Sequence, residues 1–255
     1  MDLNGCVNDI RDVVKEFKKR GFVTATLLDS KATNIEICKA LLGAITSLAP
    51  DDVLVIHYSG HGTYVPDKNG DEVSGNDSCW CPHDIMTAGP ITDDTIYSIL
   101  RKKPTGSRIV VFSDSCFSGT VLRAFGDPGA GKPRFMPPSV FLKNNKSFSV
   151  TDLVGGIQLR DFQDNVIDDA TISKDVGGTL LLMSGCQDNQ TSADAYFSGR
   201  YNGAFTYFML KALREMPEGA SYKQWFKKIR EYLPSYEYSQ APNLYGKGMM
   251  SKIFT

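Results

Sequence analysis

The chain has 255 residues, a formal net charge of −1, 42% hydrophobic residues and 22% charged residues. This balance gives no basic surface for nucleic acid or for an acidic membrane, so we expect partners to be recognised at a defined site. No apolar run is long enough to cross a bilayer, and the first residues lack the basic and apolar regions of a signal peptide. We therefore expect a cytoplasmic protein without a membrane or nucleic-acid partner.

The cysteines suggest neither a disulfide framework nor a zinc site. All six are scattered along the sequence, and without an export signal we expect reduced thiols. Cys79 and Cys81 are separated by one residue and His83 is nearby, but no second pair follows. Structural zinc sites need four ligands, so this group falls short of one.

The first part of the chain alternates helical and strand patterns. Apolar residues between charges at residues 8–20 predict an amphipathic helix that stops at Gly21, and residues 22–28 alternate as a strand. A second helix is predicted over residues 33–48 and a buried strand over residues 53–58. This order is typical of an α/β domain with a mainly parallel sheet.

The middle of the chain begins with a polar stretch. Residues 62–89 are rich in Asp, Asn and Gly and predict a long ordered loop beside a site. A helix over residues 92–100 and a buried strand over residues 108–113 follow. Residues 126–175 break this rhythm with Gly, Pro and polar residues, and we interpret most of them as a flexible linker or insertion.

The last part returns to regular elements, with a strand at residues 177–183, helices at residues 205–215 and 222–233, and a closing strand at residues 249–254. We therefore expect a single domain. It comprises residues 1–255, divided into 1–125, the linker 126–175 and 176–255.

Three of the predicted strands end in small polar residues. His61 follows the strand of residues 53–58, Cys116 follows that of residues 108–113, and residues 184–194 follow the third. The carboxyl ends of parallel strands meet at one edge of a sheet, where ligands bind. We therefore expect His61 and Cys116 to lie side by side.

A cysteine beside a histidine suggests nucleophilic catalysis. The imidazole of His61 would take the proton of the Cys116 thiol and later return it to a leaving amine. The backbone N–H groups of Gly62 and Cys116 would bind the developing oxyanion. The alternatives are a buried apolar role for Cys116 and a loop role for His61. For His57 and His83 we favour structural roles.

Acidic residues crowd the same predicted edge. Asp114 lies two residues before Cys116, and Asp188 and Asp194 lie in the third loop. They would either cap loop amides or bind a cationic Arg or Lys side chain in a specificity pocket.

Two motifs carry a family resemblance. Tyr58-Ser-Gly-His-Gly-Thr63 and Asp114-Ser-Cys-Phe-Ser-Gly119 resemble the histidine and cysteine motifs of metacaspases, including the bacterial orthocaspases. Four other segments resemble family segments in the same order: Leu3-Asn-Gly-Cys-Val-Asn-Asp9, Gly70-Asp-Glu72, Ile91-Thr-Asp-Asp94 and Ser184-Gly-Cys-Gln-Asp-Asn-Gln-Thr-Ser-Ala-Asp194.

The resemblance implies a caspase-like (caspase-haemoglobinase) α/β fold, a three-layer sandwich with a mainly parallel central sheet. It also implies a cysteine endopeptidase that cleaves after Arg or Lys, with His61 and Cys116 as its dyad. The pocket for the basic side chain would be formed by Asp9, Ser59 and Asp114, completed by Asp188 or Asp194.

This sequence departs from the family pattern in three places. Phe117 stands where the family commonly has His. Calcium-dependent members use four aspartates, of which Asp77, Asp93 and Asp94 match, but the fourth position is Arg123. Because a cation there repels calcium and removes a ligand, we expect no required cofactor and weak or absent calcium dependence. The family's apolar strand before Leu3 has no counterpart here, so we expect a less completely closed sheet.

We expect the protein to act as a monomer on proteins or peptides with exposed Arg or Lys, and on itself. The exposed candidates for self-cleavage are Lys132, Arg134, Lys143, Lys146 and Arg160. One alternative is a catalytically silent caspase-like binding or scaffold module. Another is acyl transfer or ligation by the same dyad in place of hydrolysis.

Overall fold

A computed structural model describes residues 2–67, 74–117, 131–142, 179–187 and 190–255. The helices are α1 (Cys6–Lys19), a short 3₁₀ helix (Asp29–Lys31), α2 (Asn34–Thr46), α3 (Ile85–Ala88), α4 (Asp93–Leu100), α5 (Ser139–Leu142), α6 (Ala204–Glu215) and α7 (Tyr222–Tyr232). The strands are β1 (Val53–Ser59), β2 (Gly62–Pro66), β3 (Asn76–Trp80), β4 (Ile91–Thr92), β5 (Arg108–Asp114), β6 (Lys132–Pro133), β7 (Leu180–Ser184), β8 (Ala193–Phe197), β9 (Arg200–Gly203) and β10 (Asn243–Lys247).

The central sheet has the strand order β1-β5-β7-β10. Strands β1, β5 and β7 are parallel, and β10 runs antiparallel to β7. The register places Ser59 opposite Asp114 and Ser113 opposite Ser184, so all three parallel strands end at the same edge. The predicted mainly parallel sheet is confirmed.

Helices cover both faces of this sheet, as the alternation of side chains along β5 requires. Val110 and Phe112 point to one core, which includes residues of α1, α6 and α7. Ile109 and Val111 point to the other core, which includes residues of α2 and α4. The molecule is therefore a three-layer α/β sandwich, as expected.

Two small antiparallel sheets extend the molecule beside the edge where the parallel strands end. One has the order β2-β3-β4 and the other β6-β8-β9. The interpretation of residues 62–89 as a loop is therefore wrong, because β2 and β3 pair from Gly62 to Pro66 and α3 follows. The β8-β9 hairpin was also not predicted. Its backbone hydrogen bonds give strand structure to short segments whose sequence lacks a long apolar pattern.

Two predicted strands are wrong, and a part of the predicted linker forms regular structure. Residues 22–28 are not paired into a strand, and the closing strand is Asn243–Lys247 instead of residues 249–254. Of the predicted linker, residues 131–142 are ordered, and Phe141 is fully buried. Most of residues 126–175 lie outside the described part. Within the described ranges, no helix combines the length and apolar character that crossing a bilayer requires.

Candidate active site

His61 and Cys116 lie at the edge of the sheet where the sequence predicted them. Parallel pairing sets Ser59 of β1 against Asp114 of β5, and each candidate follows its strand by two residues. The Cys116 side chain is fully buried, and its sulfur accepts a hydrogen bond from the backbone N–H of Ser192. The topology therefore brings both members of the predicted dyad to one place.

The backbone of His61 is fixed by residues that the sequence analysis did not select. The carbonyl oxygen of His61 accepts hydrogen bonds from the Tyr58 hydroxyl at 2.6 Å and from the backbone N–H of Cys81 at 3.1 Å. The Tyr58 ring stacks on Trp80 with 4.5 Å between ring centroids. Burial raises the pKa of Tyr58, so its hydroxyl remains a proton donor.

Arg134 of this same chain lies in the site and contacts the residues that follow both strands. Its carbonyl oxygen accepts hydrogen bonds from the backbone N–H groups of Gly62 at 2.9 Å and Cys116 at 3.1 Å. Its own backbone N–H donates to the carbonyl oxygen of Ser192 at 2.9 Å. The two N–H groups predicted to bind an oxyanion therefore converge on one peptide carbonyl.

This convergence requires glycine at position 62. A Cβ atom there would lie 2.0 Å from the carbonyl oxygen of Cys116, so any other residue would force the two strand ends apart. Glycine at this position therefore lets the backbone of residue 62 lie close to that of Cys116.

The guanidinium group of Arg134 fills a buried acidic pocket. One terminal nitrogen, Nη2, lies 2.7 Å from Asp9 Oδ2 and 3.0 Å from Asp194 Oδ1. The other, Nη1, donates to Ser59 Oγ at 2.6 Å and to the carbonyl oxygen of Asp114 at 3.2 Å. The side chains of Arg134, Asp9 and Asp194 are 0% exposed. The resemblance assigned Asp9, Ser59 and Asp114, completed by Asp188 or Asp194, to a pocket for basic side chains.

The expectation that Arg134 is exposed is therefore wrong. An arginine in a Gly- and Pro-rich stretch is normally solvated. Here the neighbouring carboxylates offset the cost of removing the charge from water. Although burial opposes the charge, Asp114 and Asp9 raise the pKa of Arg134 well above its ordinary value.

Asp9 is held by groups from the β8-β9 hairpin and has an unusual pKa. Its Oδ1 accepts hydrogen bonds from the backbone N–H of Gly203 and from Asn202 Nδ2, both at 2.9 Å. Burial raises the pKa of Asp9 to about 6; the charge of Arg134 opposes this shift, and the charge of Asp114 adds to it. Helix α1 and the β8-β9 hairpin thus meet at the pocket.

Asp114 lies farther from the guanidinium than Asp9 and Asp194 do. Its Oδ2 lies 3.7 Å from Arg134 Nη1. Its carboxylate accepts hydrogen bonds from Ser192 Oγ at 2.5 Å, and from the backbone N–H and hydroxyl of Thr206 at 2.8 and 2.7 Å. Asp114 therefore holds Ser192 and Thr206 in place beside the pocket. Its negative charge lies farther from the guanidinium than the charges of Asp9 and Asp194 do.

The third loop contributes Asp194, which also accepts backbone hydrogen bonds from Asn4 at 2.7 Å and Gly5 at 3.0 Å. The other candidate, Asp188, lies outside the described residues. Gln240 holds this loop by accepting from the backbone N–H of Ala193 and donating to Ser192 Oγ. No local sequence signal marked Gln240, because its partners are distant in the chain.

The remaining histidines have other partners. His57 lies within β1, and its Nε2 lies 3.0 Å from Thr206 Oγ1. Burial lowers the pKa of His57 to about 4, so the ring is neutral near pH 7. The backbone N–H of His83 donates to the carbonyl oxygen of Ala32.

The aspartates proposed for calcium lie near the start of α4. Asp93 accepts hydrogen bonds from the backbone N–H groups of Ser78 at 3.2 Å and Asp94 at 3.1 Å. Across the part of the chain that the structure describes, no three or more His, Cys, Asp or Glu side chains are arranged to hold a metal ion. Asp77 is buried on β3, and Arg123 lies outside this part.

Cys79 and Cys81 belong to no such group among the described residues. Burial raises the pKa of both thiols, which disfavours the thiolate that a metal would bind. All six cysteines are free thiols.

Comparisons with known proteins show which family this chain resembles. The family model described as the caspase domain matches residues 1–254. Metacaspase-1 of Cryptococcus neoformans is 32% identical over 267 residues, which cover 95% of this chain and 58% of that protein. Metacaspase-1 of Schizosaccharomyces pombe is 32% identical over 269 residues, covering 95% of this chain and 63% of that protein. The chain thus spans about six tenths of the length of these two relatives.

A solved structure is similar over almost the whole chain. The crystal structure of protein GSU0716 from Geobacter sulfurreducens has a TM-score of 0.76 and 33% sequence identity, and the match covers 98% of this chain and 89% of that one. Together with the match to residues 1–254, this similarity shows that the chain belongs to the caspase domain family and has its fold.

Proposed function

We propose that the protein is a cysteine endopeptidase that cleaves peptide bonds after Arg or Lys, and that the bond between Arg134 and Phe135 of its own chain is one of its substrates. One observation carries the proposal. The guanidinium of Arg134 fills the acidic pocket while its carbonyl oxygen accepts the N–H groups of Gly62 and Cys116. A peptide about to be cleaved after arginine would be bound in this way.

The reaction would follow from these contacts. The Cys116 thiol would transfer its proton to His61, and its sulfur would bond to the carbonyl carbon of Arg134. The oxygen would gain the negative charge beside the two N–H groups. Breakage of the C–N bond, with the proton of His61 passing to the departing nitrogen of Phe135, would leave a thioester. Water would then hydrolyse this thioester and restore the thiol.

The charge of the pocket supports selection of a basic side chain. Asp9 and Asp194 are buried and lie within 3.0 Å of the guanidinium. A neutral side chain in this position would leave these carboxylates desolvated and unpaired, which costs several kcal/mol, on the order of the penalty for a broken buried ion pair. Lysine would supply the charge but not the two-pronged contact.

The test compares purified wild type with Cys116→Ala by intact-mass and N-terminal analysis. We expect wild type to yield a fragment that begins at Phe135, and Cys116→Ala to remain whole. Arg134→Gln should also remain whole at this bond, whereas the matched change Arg101→Gln, at an exposed residue, should leave the cut in place. A wild type that stays whole, with no fragment beginning at Phe135, would contradict self-cleavage.

A silent module is the second candidate, and one observation favours it. Because Arg134 is fully buried, the same contacts could keep its side chain in the pocket permanently and block the binding of any substrate. An arginine-based covalent inhibitor and a peptide substrate ending in Arg separate the two functions. In an active enzyme, Arg134→Gln empties the pocket and raises the initial rate of peptide cleavage. In a silent module, the inhibitor labels Cys116 in neither wild type nor Arg134→Gln, and neither protein cleaves the peptide.

A further inference from the structure

Phe135, the residue after Arg134, is also held within the candidate site. Phe135 is only 3% exposed and packs in one cluster with Cys116 and Cys186, and Tyr64 packs against this cluster. The rings of Tyr64 and Phe135 are nearly parallel, with an angle of 18° and 6.1 Å between their centroids. An aromatic side chain therefore sits directly beside the candidate nucleophile.

Backbone contacts determine where this ring lies. Gly62 donates its N–H to the carbonyl oxygen of Arg134 and accepts the N–H of Met136 in return, both at 2.9 Å. These two bonds form a parallel β-bridge between Gly62 and Phe135. Any peptide that placed its carbonyl oxygen in the same position could use the same bridge. Its next side chain would then point to the place that Phe135 fills.

Among the described residues, the side chains that form an apolar cluster with the ring carry no charge. Cys186 is buried, and its sulfur donates to the carbonyl oxygen of Ser115 at 3.4 Å. A hydrogen bond to Cys116 and burial raise the pKa of Cys186 well above its usual value, so it is a neutral thiol. A neutral thiol behaves as a small apolar group. Cys186 and Tyr64 thus offer apolar surface to the ring and no partner for a charge.

We propose that Tyr64 and Cys186 form a second specificity pocket, which selects an aromatic side chain immediately after the cleaved Arg or Lys. This inference rests on the proposed endopeptidase function and narrows its substrate class from any basic residue to a basic residue followed by an aromatic one. A charged side chain there is disfavoured because it would lose water without gaining a partner.

The test uses quenched fluorescent peptides that differ only in the residue after a single Arg: Phe, Leu, Gly or Asp. With full-length wild type we expect kcat/KM to be highest for Phe, and lower for Gly by roughly 10- to 100-fold, as expected for loss of a buried ring. Leu should be intermediate and Asp lowest. Equal values for Phe and Gly, with Arg still required, would overturn this inference and leave the proposed function intact.

Variants of Tyr64 show whether the preference comes from this pocket. Tyr64→Ala should bring the Phe-to-Gly ratio close to one, whereas Tyr64→Phe, which keeps the ring, should retain it. Tyr236→Ala removes a fully exposed tyrosine and is the matched control. A preference for Phe that survives Tyr64→Ala would overturn the assignment of the pocket. If no Arg peptide is cleaved at all, the proposed function itself fails, and this inference fails with it.

Discussion

Replacing Asp9 by Asn tests the acidic pocket most directly. The substitution keeps the size of the side chain and removes its charge. Asp9 Oδ2 lies 2.7 Å from Arg134 Nη2, and both side chains are 0% exposed. The same oxygen accepts a hydrogen bond from Ser59 Oγ at 2.7 Å. An amide NH₂ in this place would meet two donors.

The expected loss follows from these contacts. A buried hydrogen bond to a charged group contributes about 1.5–3 kcal/mol, and complete loss of a buried ion-pair partner costs about 3–5 kcal/mol. Asp194, at 3.0 Å, still pairs with the guanidinium. We therefore expect Asp9→Asn to weaken binding of the Arg side chain by about 2–3 kcal/mol. At 1.36 kcal/mol for each factor of ten, this corresponds to a loss of roughly 30- to 150-fold in kcat/KM for an Arg peptide.

The assay measures kcat/KM for an Arg peptide and the half-time of self-cleavage at Arg134. Both should fall in Asp9→Asn, and the change in peptide cleavage should lie mainly in KM. Asp51→Asn, at an exposed position, is the matched control and should change neither. A thermal melt checks that the variant is folded. If folded Asp9→Asn cleaves the Arg peptide as well as wild type does, the pocket assignment is wrong.

Three further outcomes are expected. First, the pKa of Asp9 is about 6 with the opposing charge of Arg134 beside it, and it is higher in a pocket that holds no cation. Because kcat/KM reports the free enzyme, kcat/KM for an Arg peptide should already fall above pH 6 as the pH is lowered, and Asp9→Asn should flatten this profile. The same raised pKa means that the folded protein holds a proton between about pH 4 and 6 that the unfolded chain has released, so the contribution of Asp9 to stability falls as pH rises through this range. Second, Gly203→Ala would place a Cβ 2.1 Å from Asp114 Oδ2 and 2.6 Å from Arg134 Cζ. We expect it to reduce Arg cleavage about tenfold or more, whereas Gly43→Ala, which meets nothing within 4 Å, should not; equal activities would contradict this explanation. Third, because the resemblance places Arg123 where calcium-dependent metacaspases have a fourth aspartate, we expect a chelator to leave the cleavage rate unchanged. A rate that falls and recovers with calcium would refute this prediction.

Much of the central sheet could be predicted from the sequence. The strands that lead to His61 and Cys116 are apolar, β-branched and followed by small polar residues, which is a strong local signal. Their parallel register then fixes the two residues at one edge. Residues 22–28 alternate as an exposed strand would, but pairing needs a neighbouring strand, and none among the described residues pairs with them.

The burial of Arg134 could not be predicted, because it depends on distant residues. Asp9 lies 125 positions before it and Asp194 lies 60 positions after it. Local composition around Arg134 indicates an exposed linker, whereas three-dimensional charge pairing decides the outcome. The resemblance to metacaspases named the pocket residues. It did not indicate that a residue of the chain itself fills the pocket.

The order of strands in the central sheet has a consequence for the cut molecule. A break after Arg134 would divide the chain into two polypeptides, yet β5 of the first pairs with β7 of the second along five residue positions. Helix α1 shares a core with α6 and α7, and Asp9 accepts hydrogen bonds from Gly203. The product would therefore be a two-chain protein produced from one polypeptide. Its two chains would separate only on unfolding, and their reassembly would depend on concentration.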